Sequence, residues 1–62
     1  MEKRYVIKFK NSVDEIKKDA LLKLGVFVEF LNSLGIYIVE LSKEVFYSLK
    51  KNPDILYIKE SI

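Results

Sequence analysis

Residues 26–41 read VFVEFLNSLGIYIVEL. Two runs rich in β-branched and aromatic residues, 26–31 and 36–41, flank Asn32-Ser33-Leu34-Gly35. Runs of this composition bounded by turn residues predict two strands joined as a hairpin. In the first run Val26, Val28 and Phe30 share one side, and Phe27, Glu29 and Leu31 share the other. The fold turns on this hairpin because helical patterns adjoin both of its ends, and each of those leads to one more strand.

Upstream, residues 4–10 (RYVIKFK) alternate. Tyr5, Ile7 and Phe9 point one way, and Arg4, Val6, Lys8 and Lys10 the other, which predicts a strand. Ser12-Val13-Asp14-Glu15 has the spacing of a capping box, with Ser12 as the N-cap. Asp14 and Glu15 also sit at the positive end of the helix dipole. The helix they open runs to about Leu24. Its predicted buried stripe is Val13, Ile16, Ala20 and Leu24, with Leu21 at the edge. Gly25 is then the expected left-handed C-cap. Downstream, Ser42 is an N-cap for a second helix over 43–51, whose apolar side is Val45, Phe46 and Leu49. Asn52-Pro53 stops it. Residues 55–60 (ILYIKE) form the last strand.

The resulting order is strand, helix, strand, strand, helix, strand. Right-handed crossovers then give a four-stranded antiparallel sheet with both helices on one face. That is the ferredoxin-like α+β sandwich. With 62 residues the chain forms one domain, 1–62. A domain of this size buries only about 60% of the surface its unfolded chain exposes. It has no cysteine and no histidine. A disulfide framework, thiolate zinc sites and thiol or imidazole catalysis are excluded. Stability must come from packing or from a partner.

The net charge of +2 is too small to imply nucleic acid, and no run is long and apolar enough for a transmembrane helix. No signal peptide is visible. The absence of Gln, Thr, Cys and Trp, beside plentiful Lys, Glu and Ile, is a thermophile-like bias.

Two helices cover one face of the sheet and leave the other open. Taking the more apolar side of each strand as inward assigns Tyr5, Ile7, Phe9, Val26, Val28, Phe30, Tyr37, Val39, Leu41, Leu56 and Ile58 to the covered face. The open face then receives Val6, Lys8, Phe27, Glu29, Leu31, Ile36, Ile38, Glu40, Tyr57 and Lys59. Val6, Phe27, Leu31, Ile36, Ile38 and Tyr57 are large and apolar. A contiguous patch of that kind marks a binding surface, for another protein or a second copy of this chain. The two outer strands, 26–31 and 55–60, offer edge pairing as another route to a homo-oligomer.

No catalytic constellation emerges, so the chain reads as a non-enzyme without a cofactor. The carboxylates are scattered along the sequence, and the glycines, Gly25 and Gly35, do not form a phosphate loop. Phe27 and Tyr57 have the chemistry to stack bases. The basic, glycine-rich run of an RNA-binding sheet is missing, and the Lys17-Lys18 and Lys50-Lys51 pairs fall on helices.

The stretch Leu49-Lys50-Lys51-Asn52-Pro53-Asp54-Ile55-Leu56-Tyr57-Ile58 resembles the last helix and strand of the propeptides of subtilisin-like serine proteases, where a K-x-N/P-x-V-x-Y-V-E pattern is typical. Tyr5-Val6-Ile7-Lys8-Phe9-Lys10 is similar to the family's opening Y-I-V-x-F-K strand. Leu24-Gly25-Val26-Phe27-Val28-Glu29-Phe30 is similar to its L-G-G-x-V-x-Y-E-F region, and Val39-Glu40-Leu41 to its A-V-E-L strand. The likeness runs from about Arg4 to Glu60. It implies a ferredoxin-like domain that inhibits a subtilisin-like protease and chaperones its folding. The open sheet face would pack on two surface helices of the protease, and the C-terminal tail would run toward the active-site cleft. The implied contact residues are Phe27, Leu31, Ile36, Ile38 and Tyr57, with Glu60, Ser61 and Ile62 in the tail.

Where the family places two acids that cap protease helices, this chain has Lys59 and Ser61. Serine caps well, whereas lysine has donors only and the wrong charge. Glu60 lies one residue out of phase with those positions. Ser61 and Ile62 together span at most about 7 Å. As part of a protease precursor the domain would be exported. The alternative is a free-standing, cytoplasmic interaction module that self-associates through the same face or a sheet edge.

Overall fold

These patterns become six elements in the computed structural model, which describes residues 2–61. They are β1 (Lys3–Phe9), α1 (Glu15–Leu22), β2 (Val26–Leu31), β3 (Ile36–Leu41), α2 (Lys43–Lys50) and β4 (Ile55–Glu60). The strands form one antiparallel sheet in the order β2-β3-β1-β4. This is the ferredoxin-like α+β arrangement the element order predicts, with β2 and β4 at the edges.

The alternation of β1 fixes the inner face. Tyr5, Ile7 and Phe9 are buried, as are Val39 and Leu41 of the adjacent β3. Val13, Leu49 and Ile55 complete this core. The hairpin closes as its composition predicts. The Gly35 amide donates to the Leu31 carbonyl at 2.9 Å, and Gly35 takes the left-handed conformation at φ 65°.

Both edge strands depart from simple alternation. Phe27 pairs with Val39 and Glu29 with Ile38, so Val28 is an extra residue in β2. Lys8 pairs with Tyr57 and Phe9 with Ile55, so Leu56 is an extra residue in β4. Each is a bulge, and a bulge shifts the phase of the strand beyond it. Residues directly opposite one another share a face. Phe27 therefore lies on the helix side with Val39, and Val26 lies on the open side with Glu40, reversing the predicted assignment of both. In β4, Ile55 enters the core and Leu56 is 57% exposed, the reverse of the expected inward Leu56.

The second helix follows its sequence signals. The Ser42 hydroxyl accepts from the Val45 amide at 3.3 Å, and Leu49 is buried. Phe46 stacks on Tyr5, with ring centroids 4.4 Å apart. Asn52 then turns the chain, its side chain accepting from the Asp54 amide at 2.8 Å.

The first helix does not follow them. Its N-cap is Asp14, whose carboxylate accepts from the Lys17 amide at 2.8 Å, so the predicted capping box at Ser12 gives way to a shorter helix. Starting two residues later and ending at Leu22, it turns Leu21 and Leu22 toward the core. Of the predicted stripe Val13 is buried ahead of the helix, while Ile16 is 81% exposed and Ala20 and Leu24 are exposed. Gly25 serves close approach rather than a left-handed cap. A Cβ there would collide with the Leu41 side chain and the Glu40 carbonyl oxygen.

Candidate functional site

The open face is organised by register. Val6 pairs with Ile38 on one side and Lys59 on the other, and Ile38 pairs with Glu29. The central row across the sheet is thus Glu29, Ile38, Val6, Lys59. Toward the hairpin, Leu31 pairs with Ile36 and Lys8 with Tyr57. Because Ile7 faces Tyr37, the next step of the ladder sets Lys8 beside Ile36. That row is Leu31, Ile36, Lys8, Tyr57. At the other end Val26 pairs with Glu40 and Glu40 with Arg4, while the Ser61 amide donates to the Arg4 carbonyl at 2.9 Å.

The middle of this face is apolar. Val6, Leu31 and Ile38 are half-buried, Tyr57 is 39% exposed, and neither helix covers them. Ile36 is buried, beside Lys8, whose ammonium donates to the Leu34 carbonyl at 3.2 Å. Lysine stems cover apolar surface in this way while the charged head stays polar.

Charge is segregated about that middle. Glu29 and Glu40 lie on the β2–β3 half, and Arg4, Lys8 and Lys59 on the β1–β4 half. Arg4 and Glu40 meet across the central seam at 3.3 Å. Lys59 sits over the Tyr57 ring, 5.5 Å from its centroid. Among the described residues Glu29 and Lys59 have no ion-pair partner within the chain.

Of the residues singled out from sequence, Leu31, Ile36, Ile38 and Tyr57 come together on this face. Phe27 does not. It lies on the helix side, where it lines a groove of about 420 Å3 with Leu22, Phe30 and Tyr37 below α1. Phe27 and Tyr57 are thus on opposite faces and cannot form one stacking platform. Glu60 pairs with Tyr5 on the helix side and reaches Lys3 at 3.4 Å. Ser61 continues the ladder beside Arg4. Ile62 lies outside the described residues.

The groove under α1 is not foreseen by the predicted stripe, whose Ile16, Ala20 and Leu24 are exposed. Its one sequence signal is the Leu21-Leu22 pair, which fits a helix phase different from that of Ile16 and Ala20. Among the described residues no three carboxylates converge to hold a metal ion, and no described helix is long and apolar enough to cross a membrane.

No protein-family model matches the chain, and no curated protein matches it.

Proposed function

We propose that this domain is a propeptide-like partner of a subtilisin-like serine protease, acting as inhibitor or folding chaperone and docking through its open sheet face. The observation that carries the reading is the apolar centre of that face, which neither helix covers: Val6, Leu31, Ile38 and Tyr57 on adjoining strands, over the buried Ile36. A face of this kind gains free energy when another protein covers it, at about 25 cal/mol per Å2 before association costs. The resemblance along the chain supplies the kind of protein. Ser61 extends the β4 ladder, its amide donating to the Arg4 carbonyl, and the tail that the resemblance implies would continue from it.

The register changes which residues matter. Tyr57, Ile38 and Leu31 make the contact, and Phe27 has no part in it. Titrating a subtilisin-type protease with the purified chain, read with a chromogenic peptide, tests this. Competitive inhibition is expected, Tyr57→Glu is expected to abolish it, and Phe27→Glu is expected to leave it intact. An intact chain that fails to inhibit at high micromolar concentration would overturn the reading.

A further inference from the structure

We infer that, free of any other protein, the open face closes on a second copy of the same chain, by a two-fold axis that lies in the interface and runs parallel to the strands. The inference rests on the arrangement of charge and not on the protease reading.

The axis falls on the seam between β3 and β1, the two middle strands. Rotation about it lays β2 of one copy over β4 of the other, and β3 over β1. In the central row Glu29 then meets Lys59 of the second copy at both ends, and Ile38 meets Val6 twice in the middle. In the row toward the hairpin Leu31 meets Tyr57, and Ile36 meets the stem of Lys8. At the other end Glu40 meets Arg4, turning each intrachain pair into half of a four-membered ring of alternating charge. Opposite charges and apolar groups thus find their complements in all three rows.

The alternative two-fold, across the strands, sets each strand over its own copy. Glu29 then faces Glu29 and Lys59 faces Lys59, and like charges across an interface are repulsive. Complementarity therefore selects one axis. It also gives a role to Glu29 and Lys59, exposed charges without an ion-pair partner within the described chain.

Twisted sheets pack face to face with strands about 30° apart. The offset this gives the outer pairs is small enough for the long Glu and Lys side chains to span. Four strands at about 4.8 Å spacing and six residues at about 3.3 Å make a face roughly 20 Å on a side. An interface of that size, about 800 Å2 counting both copies, lies below that of permanent complexes, so a weak, reversible dimer is expected. The dimer and any protease complex use the same surface and exclude each other.

Sedimentation equilibrium of the chain alone tests the inference. The wild-type chain is expected to dimerise. Glu29→Lys sets two ammonium groups against each other at both ends of the central row, and Lys59→Glu sets two carboxylates there. Each variant alone is therefore expected to dimerise at least about tenfold more weakly. Mixed in equal amounts they are expected to form a heterodimer of near wild-type affinity. At one end of the row the introduced ammonium then meets the introduced carboxylate, and at the other the native Lys59 meets the native Glu29. Both sites are exposed, so the fold is expected to survive, and circular dichroism checks it. A chain that stays monomeric up to about 1 mM, a dimer indifferent to either reversal, or a mixture that fails to restore association would overturn the inference. No protease is present, so the outcome is separate from that of the inhibition test.

Discussion

The two helices lie on the same side of one sheet and each carries capping and apolar signals in its sequence, yet they are held very differently. Around α2 the packing is dense, with Leu49 buried and Phe46 stacked flat on Tyr5. Around α1 every residue is at least partly exposed, and a groove separates it from the aromatic floor of β2 and β3. Pseudo-symmetric halves therefore need not share stability equally. One crossover anchors the core, and the other is tethered to it by Leu21, Leu22 and the close approach at Gly25.

The largest effect should come from cutting the anchored half. Leu49→Ala removes a fully buried side chain, a change that costs about 2–5 kcal/mol. For so small a domain that rivals the whole stability, so denaturant unfolding should find the variant largely unfolded at room temperature. Gly25→Ala comes next. Its methyl group meets the Glu40 carbonyl, which is backbone and gives way poorly, and overpacking of this kind costs about 1–3 kcal/mol. A loss of stability at that position would show that the tether of α1 is real. The smallest effect belongs to Ile16→Lys. In the predicted stripe this would bury a charge, whereas in the observed helix it should change stability by no more than about 0.5 kcal/mol. A loss of several kcal/mol there, in the same unfolding assay, would put Ile16 in the core and erase the contrast between the halves.

What can be read in the sequence follows the same division. The bounds of β2, β3 and β4, the turn at Gly35 and the cap at Ser42 are legible, because each carries a local chemical signal. So is the inner face of β1, where Tyr5, Ile7 and Phe9 recur at every second position between mostly charged neighbours. The faces of β2 and β4 are only partly legible. VFVEFL and ILYIKE place apolar residues on both phases, and nothing in them marks Val28 or Leu56 as the extra residue. The reading of α1 fails for a related reason. Ser12 and Asp14 both have capping chemistry, and Leu21, Leu22 and Leu24 allow more than one phase. The candidate surface is therefore recovered at its centre, at Leu31, Ile36, Ile38 and Tyr57, and misplaced at Phe27, where a bulge intervenes.

Those two extra residues also bear on edge-to-edge association between copies. Unpaired outer strands invite endless edge-to-edge growth of the kind seen in cross-β fibrils. Here each outer strand carries one bulge, which interrupts the regular ladder a neighbouring strand would have to match. Lateral addition at the rims is discouraged, while the broad surface between them stays available. In the proposed dimer, association would then be steered to that face and away from the rims.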